Sequence, residues 1–193
     1  DEALNLPALF QSISDLLYPK HLFEIILVDD DSQDDSWKLA RAFQAHYRDI
    51  KIYLLSSSSA YLGRAGAEKK ITPKKQAIHK AISQSIYPYI ITTDADVILP
   101  ENWLESFDAK LQETRADLVA GGVVVAKNVS FLSYYQHFDM LSLQLFGLGS
   151  FARNYPVICN AANLCFRKST YMEADVNLGK ENIASGDDVF TLQ

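Results

Sequence analysis

The sequence predicts an α/β fold in which a mostly parallel sheet is covered by helices on both faces. Short β-branched runs alternate with helical segments along the chain, the pattern of strand–helix–strand units. Two of these runs end abruptly in acids, at Asp29–Asp31 and at Asp94–Asp96. Because parallel α/β sheets bind ligands at the carboxyl ends of their strands, the acids indicate a functional site.

The composition is that of a globular protein with one domain. The 193 residues are 48% hydrophobic and 22% charged, and 18 Lys and Arg against 24 Asp and Glu give a net charge of -6. An acidic chain disfavours nucleic-acid binding through bulk charge, because phosphate contacts need a basic surface. Two cysteines exclude a disulfide scaffold, and we expect Cys159 and Cys165 to be buried thiols in a reducing compartment.

Four elements are predicted before a long polar loop. Leucine and isoleucine repeat at helical spacing after Asn5, which suits an N-cap, and Pro7, which suits a first turn. A continuous β-branched run then has the length of a strand buried on both faces. In order, we expect a helix from Asn5 to Tyr18, a strand Phe23–Val28, a helix Ser36–Tyr47 and a strand Ile50–Leu55.

The second half continues the alternation. Thr72 and Pro73 mark the start of a helix, and Pro100 is expected to open another whose inward face carries Trp103. The apolar stretch Phe131–Phe151 is interrupted by polar residues, so we expect a buried or surface-lying helix rather than a membrane span. The predicted helices run over residues 73–85, 100–111 and 131–151, and the strands over residues 89–93, 118–126 and 157–166.

The acids at the strand ends are the strongest functional candidates. Asp29 and Asp30 stand at the strand end itself, whereas Asp34 and Asp35 are expected to cap the next helix. Asp94 and Asp96 place two carboxylates on one side of an extended backbone. Hard oxygen ligands at this spacing suit Mg²⁺ or Mn²⁺, which also bind substrate phosphates.

Two further groups of charged residues have open interpretations. Asp187 and Asp188 follow Gly186 and could cap a helix or supply a general base. Lys74 and Lys75 lie in the first turn of a predicted helix, where cations are unfavourable unless an anion docks there too. Their position therefore favours a bound phosphate or diphosphate, although a solvated helix face is the simpler alternative.

In combination, these motifs resemble a family-2 glycosyltransferase with the GT-A fold, a Rossmann-like architecture. The run Glu24–Ser32 resembles the nucleotide-binding strand of that family, and Thr92–Asp96 followed by Pro100–Leu104 resembles its D-x-D segment. Asp187 stands where Glu is usual, Asn160 stands near where Gly is common, and the family's first strand is missing. The other matching segments are Glu2, Lys74–Ile78, Asn160–Leu164 and Ser185–Asp188.

The resemblance implies an inverting transfer of a hexose from a nucleoside-diphosphate sugar to a glycan or lipid-linked acceptor. It implies a divalent metal, Mn²⁺ or Mg²⁺, held by Asp94 and Asp96, and Asp188 as the catalytic base. It places Asn163 and Asp187 on the acceptor side. The implied donor-binding residues are Glu2, Asp29, Asp30, Lys75, Asp94 and Asp96.

The resemblance also predicts how the chain is organised. We expect residues 1–193 to be a single GT-A-type catalytic domain, a fragment that lacks the first strand and the C-terminal part. The stretch Phe131–Phe151 carries more apolar residues than one buried helix face needs. The full-length protein is therefore expected to continue into transmembrane segments, with this domain on the cytoplasmic face and a role in cell-envelope polysaccharide synthesis.

Two other functions remain open at this point. A phosphatase of the haloacid-dehalogenase type also follows a buried strand with D-x-D, so that Asp94 would be the nucleophile and Asp96 the acid/base. No convincing Ser/Thr strand end and Lys pair lie between Asp96 and Asp187, which disfavours this enzyme. A non-catalytic domain that only binds a nucleotide sugar is the second alternative.

Overall fold

The computed structural model of the chain describes residues 1–56, 73–125, 130–153 and 155–178. Strands and helices alternate along these residues, which confirms the predicted α/β class. Two short 3₁₀ helices, Lys20–Leu22 and Ala161–Asn163, precede the first and last strands. The elements are α1 (Leu6–Ser14), β1 (Glu24–Asp29), α2 (Ser36–His46), β2 (Lys51–Ser56), α3 (Pro73–Gln84), β3 (Tyr89–Thr92), α4 (Trp103–Thr114), β4 (Leu118–Ala120), α5 (Phe131–Ala152), β5 (Leu164–Arg167) and α6 (Lys168–Leu178).

The described strands form one parallel pair and one antiparallel triplet. Strands β1 and β2 are parallel, with Glu24 opposite Lys51 and Asp29 opposite Ser56. Strand β5 lies between β3 and β4 and is antiparallel to both. Strands β3 and β4 therefore point in the same direction, and only β5 reverses it.

The main hydrophobic core lies where α1 and α2 cover the parallel pair. Leu9 and Ile13 of α1 are buried there, and the rings of Phe10 and Phe43 stack with their centroids 4.2 Å apart. Strand β1 is only half-buried, with Val28 exposed, so the expectation of burial on both faces was wrong. Ile25 and Leu27 still pack against this core, as does Ile91 of β3.

A second, smaller core lies under the antiparallel triplet. It consists of Ile82 from α3 and of Leu164 and Phe166 from β5. Cys165 between them is completely buried, and this burial raises the pKa of its thiol to about 12. Cys159 is half-buried and neither cysteine forms a disulfide, so full burial was correctly predicted for Cys165 only.

Several predicted boundaries differ from the observed ones for identifiable reasons. The predicted strand 157–166 is a strand only from Leu164, because the Asn160 Oδ1 accepts the N–H of Ala162 at 2.9 Å and closes a 3₁₀ turn. The predicted strand 118–126 ends at Ala120. Pro100 does not open α4 but precedes it, and its carbonyl accepts the N–H of Trp103 at 3.0 Å.

Two further expectations concern helices at the surface. Asn5 occupies the N-cap position of α1, but its side chain makes no capping bond and donates instead to Glu2 Oε2 at 2.7 Å. Helix α5 begins with a capping box between Ser130 and Ser133 and lies on the surface, one of the two arrangements expected for it. None of the helices in the described part of the chain is both long enough and apolar enough to cross a membrane.

Candidate active site at the strand ends

The acids after β1 lie in a tight turn. Asp29 is the last residue of β1 and is half-buried, and its Oδ2 accepts the N–H of Ser32 at 3.3 Å. Asp30 follows it and is exposed. Asp31 adopts a left-handed conformation with φ 56°, which Asp tolerates better than most residues. The turn therefore presents the Asp30 side chain to solvent at the edge of the sheet.

The start of the chain lies against this turn. Asp1 Oδ1 accepts the N–H groups of Gln33 at 2.6 Å and Asp34 at 3.3 Å. The N–H of Glu2 donates to Ser36 Oγ at 2.8 Å. Glu2 is thus held beside the loop that carries Asp30, as the resemblance to glycosyltransferases implies for these two acids.

Asp34 holds the loop in place rather than facing a ligand. Its Oδ1 accepts the N–H of Ser36 and its Oδ2 accepts the N–H of Ala3, both at 3.0 Å. The hydrogen bonds from Ser36 and Ala3 lower the pKa of Asp34 to about 2. The helix-start role predicted for Asp34 agrees with these contacts. Asp35 is the N-cap residue of α2, but its side chain makes no capping bond, so that prediction was wrong for Asp35.

The D-x-D segment follows β3 with both of its carboxylates directed outward. Ala95 and Val97 pack into the main core, whereas Asp94 and Asp96 are exposed. The burial alternates along this segment as predicted, but Ala95 and Asp96 lie in a turn and not on an extended backbone. Thr92 Oγ1 donates to the carbonyl oxygen of Ala161 at 2.5 Å, which fixes the end of β3 to the turn before β5.

The positions of β1 and β3 relative to each other are set by contacts at the ends of these strands away from their acids. The Glu24 carboxylate accepts the N–H of Ile86 at 2.8 Å, and the Tyr87 hydroxyl donates to the carbonyl oxygen of His21 at 2.7 Å. These bonds place the starts of β1 and β3 next to each other. Further along, both strands contribute to the main core. The two strands belong to separate sheets of the described structure, so these contacts join their starts without pairing the strands along their length.

The Asn163 side chain, expected on the acceptor side, is engaged by other parts of the protein. Its Oδ1 accepts the indole N–H of Trp103 at 2.8 Å, and its Nδ2 donates to the carbonyl oxygen of Gly122 at 2.8 Å. A methyl group on Gly121 would overlap this amide, with its carbon 2.6 Å from Asn163 Cγ. Sequence reasoning missed the roles of Trp103 and Gly121, although the inward position predicted for Trp103 and the Gly-Gly pair were available signals.

Three predicted site residues cannot be placed fully. Lys75 lies in the first turn of α3, as predicted, but its side chain falls outside the described part of the structure. Asp187 and Asp188 both lie outside the described residues.

The described carboxylates fit a divalent cation that shares its coordination with a substrate. Within the described residues, no three His, Cys, Asp or Glu side chains are grouped as cation ligands. Mg²⁺ typically takes only one or two protein carboxylates and completes its shell with substrate phosphates and water. The hard oxygens of Asp94 and Asp96 match that donor set.

The chain is similar to glycosyltransferases in sequence. Residues 4–154, more than half of the chain, match the model of glycosyl transferase family 21. Glycosyltransferase AglE of Haloferax volcanii is 27% identical over 123 residues, which are 64% of this chain and 36% of AglE. Glycosyltransferase GlyG of Streptococcus pneumoniae is 35% identical over 98 residues, 51% of this chain and 28% of GlyG. The chain thus spans about a third of the length of these relatives.

Solved structures of low sequence identity share the fold. S. aureus TarS in complex with UDP superimposes with a TM-score of 0.62 at 17% identity, over 98% of this chain and 51% of that one. The mannosyltransferase PcManGT from Pyrobaculum calidifontis, in complex with GDP-Man and Mn²⁺, gives a TM-score of 0.63 at 17% identity, over 98% of this chain and 47% of that one. These similarities confirm the GT-A fold.

The family match decides between the two enzyme classes considered for this chain. A glycosyltransferase was expected and is confirmed, and the phosphatase alternative was wrong. The motifs resembled family 2, whereas the matching model is that of family 21. With the fold and the match in agreement, this chain belongs to glycosyl transferase family 21.

Proposed function

We propose that this chain forms the nucleotide-sugar site of an inverting, metal-assisted hexosyltransferase with a glycan or lipid-linked acceptor. The observation that carries the proposal is a glycosyltransferase fold in which β1 and β3, joined by hydrogen bonds at their starts, lead into the acid pairs Asp29–Asp30 and Asp94–Asp96. Structures of related fold support it, because TarS was crystallised with UDP-GlcNAc and PcManGT with GDP-Man and Mn²⁺. The chain spans only part of such proteins, so the activity belongs to the full-length protein.

On the donor side, the residues would act on different parts of the nucleotide sugar. Asp29 and Asp30, with Glu2 held beside their loop, would recognise the nucleoside. Lys75 in the first turn of α3 would pair with the diphosphate, since a helix N-terminus also favours an anion. Asp94 and Asp96 would hold Mn²⁺ or Mg²⁺. A bound divalent ion stabilises the charge that grows on the leaving diphosphate.

The chemical step needs a base across the sugar from the leaving group. The acceptor hydroxyl oxygen forms a bond to the anomeric carbon while the bond from that carbon to the diphosphate oxygen breaks. The nucleoside diphosphate leaves with the electron pair, and the hydroxyl proton passes to the Asp188 carboxylate. Attack from the opposite face gives inversion. Asp187 and Asn163 would lie on the acceptor side.

Substitutions in the full-length protein separate the base from its neighbour. Asp188→Asn should lower kcat by about 100-fold or more, the usual scale for loss of a general base. Its donor affinity should stay nearly unchanged, because the base acts mainly in the transition state. Asp187→Asn, the matched control, should have a milder effect on donor turnover.

Two outcomes would contradict this assignment. If Asp187→Asn abolishes turnover while Asp188→Asn keeps it within a few-fold, the base is the other acid. If neither substitution changes turnover while the nucleotide still binds, the pair caps a helix. A separate outcome is a full-length wild-type protein that binds the nucleotide but shows no donor turnover. Such a protein would be a non-catalytic nucleotide-sugar-binding domain.

We also propose that the full-length protein is associated with a membrane and that this domain faces the cytoplasm. The support is the outward face of α5, where Phe131 is 90% exposed and Phe138 is 68% exposed. The residues of α5 that are buried are Ser133 and Gly147, and most of its apolar side chains are exposed, with Met140 and Phe151 half-buried. Fractionation of cells that express the full-length protein tests this. A product found only in the soluble fraction would contradict it.

A further inference from the structure

We propose that Asn163 and Gln144 are positioning residues that connect the acceptor side of the site to its donor side. The side-chain amides of both residues, together with the backbone carbonyl of Asn163, hold residues Gly121–Val123, here called the acceptor segment. Asn163 also holds Trp103, the first residue of the helix that follows the D-x-D segment. The terms acceptor and donor side rest on the proposed function, whereas the contacts themselves do not.

Asn163 contacts the acceptor segment with both its backbone and its side chain. The carbonyl oxygen of Asn163 accepts the N–H of Gly121 at 2.8 Å. Its Nδ2 donates to the carbonyl oxygen of Gly122, also at 2.8 Å. These bonds extend the pairing of β4 with β5 beyond Ala120, where the regular strand ends. A side chain thus replaces the next residue of a partner strand.

Gln144 of α5 holds the next residue in the same way. Its Oε1 accepts the N–H of Val123 at 2.8 Å, and its Nε2 donates to the carbonyl oxygen of Val123. One side-chain amide therefore satisfies both backbone groups of one residue, as a neighbouring strand would. Between them, Asn163 and Gln144 hold every residue of the acceptor segment through at least one backbone group.

The link to the donor side runs through the turn Asn160–Asn163. Asn163 Oδ1 accepts the indole N–H of Trp103 at 2.8 Å, at the start of α4. In the same turn, the carbonyl oxygen of Ala161 accepts the Thr92 hydroxyl at the end of β3. The segment that carries Asp94 and Asp96 lies between these two attachments along the chain. The turn is therefore bonded to both ends of the D-x-D segment and to the acceptor segment.

This arrangement predicts that the two sides do not move independently. The contacts of Asn163 with Trp103 and of Gln144 with Val123 are half-buried, and breaking either one leaves a polar group poorly satisfied, which is costly. A displacement of the D-x-D segment when a nucleotide binds should therefore reach Asn163 through Trp103. Without the Asn163 amide, the nucleotide would still bind, but the connection to Trp103 would be lost.

Trp103 supplies a spectroscopic test, because its share of the emission is the part that a matched Trp103→Phe protein lacks. Within these 193 residues the other tryptophan is Trp37, which lies on α2 beneath Arg41 and can be replaced by Phe to lower the background emission. Each variant is made in the full-length protein with Trp37→Phe and is titrated with UDP and with GDP in the presence of Mg²⁺. Emission and calorimetric affinity are measured on the same samples.

The expected result separates positioning from simple structural support. Nucleotide binding should change the Trp103 emission, and Asn163→Ser should abolish that change while the affinity stays within about 3-fold. Asn163→Asp keeps an oxygen that can accept from the indole, so it should restore the response. Ile13→Ala in the main core, chosen to lose stability by a similar amount, should keep the response.

Several results would overturn the proposal. The proposal fails if the nucleotide-induced change in Trp103 emission persists in Asn163→Ser, or if Ile13→Ala also abolishes that change. It also fails if the nucleotide binds without changing the Trp103 emission. If neither nucleotide binds the unsubstituted protein, the proposed function fails. Measurements without ligand then still test whether Asn163 connects the acceptor segment to Trp103. Asn163→Ser should then shift the Trp103 emission, whereas Gln144→Met should leave that emission unchanged and speed amide exchange at Val123. Unchanged emission and exchange would contradict the connection.

Discussion

The proposed donor and acceptor sides of the site are built from different hydrogen-bonding groups. On the donor side, the carboxylates of Asp1, Asp29 and Asp34 accept backbone N–H bonds and hold the loop after β1. On the acceptor side, the neutral amides of Asn163 and Gln144 hold the acceptor segment. Carboxylate contacts depend on ionisation, whereas amide contacts do not. The donor side should therefore respond to pH and cations, and the acceptor side should respond mainly to shape.

The largest expected effect concerns thiol reactivity within the acceptor-side sheet. Cys165 lies at the centre of β5 with its pKa raised to about 12 by burial, whereas Cys159 is only half-buried. At about pH 8 the thiolate fraction of Cys165 is then of order 10⁻⁴. An aromatic disulfide reagent should label Cys159 at least about 100-fold faster than Cys165. Equal labelling rates in the folded protein would show that this sheet opens readily.

The next effect tests the tight fit at the acceptor segment. Gly121→Ala places a methyl group against the Asn163 amide, which must shift and give up hydrogen bonds. We expect a loss of about 2 kcal/mol in the free energy of unfolding, measured in urea. Gly149→Ala on α5 meets no atom within 4 Å and should instead gain about 0.5–1 kcal/mol. A Gly121→Ala protein as stable as the wild type would contradict the fit.

The pH dependence of stability should distinguish the two sides. Hydrogen bonds lower the folded-state pKa of Asp34 to about 2 from 3.8, so its contribution is present above that ordinary value. It is lost as the pH falls through the folded pKa. Asp34→Asn should therefore flatten the decline in stability between about pH 4 and pH 2, whereas Asn163→Ser should leave the slope unchanged. Equal slopes for Asp34→Asn and the wild type would exclude this role.

The smallest effect is expected at an exposed neighbour of Asp34. Asp35 lies 3.9 Å from the Lys38 ammonium, with both side chains mostly exposed, and makes no capping bond. Asp35→Asn should change the free energy of unfolding by no more than about 0.5 kcal/mol, since exposed ion pairs contribute little. Urea unfolding at neutral pH measures it. A loss comparable to that of Gly121→Ala would mean that Asp35 holds the loop after all.

The carboxylates of the proposed donor side could be predicted from the sequence, whereas the amide contacts of the proposed acceptor side could not. The acids Asp29, Asp30, Asp94 and Asp96 could be identified from the sequence, because each pair directly follows a β-branched run. In parallel α/β sheets, ligands bind at the ends of such strands. The amide contacts join residues that are far apart in sequence, such as Gln144 with Val123 and Asn163 with Trp103. No local pattern distinguishes an amide that replaces a strand partner from a solvated one.

The same contacts explain the errors in strand length. The apolar character of residues 121–125 and 157–163 predicted strands, and periodicity takes no account of side chains that satisfy the backbone instead. Asn160 closes a turn where the pattern favoured extension, and Asn163 takes the place of a strand neighbour at Gly122. Strand boundaries that depend on side-chain contacts between residues far apart in sequence were therefore not predicted. Helices with a clear apolar repeat, such as α1, were predicted.

The central claim is that the acids that follow β1 and β3 bind a nucleoside diphosphate together with a divalent cation. The most direct measurement is the melting temperature of the full-length protein with UDP, GDP or dTDP, each with and without Mn²⁺. At least one nucleotide should raise the melting temperature with Mn²⁺, because a ligand that binds only the folded state stabilises it. EDTA and Asp96→Asn should each remove most of that rise, and Asp35→Asn should preserve it. No rise with any nucleotide, or a rise that survives both EDTA and Asp96→Asn, would contradict the claim.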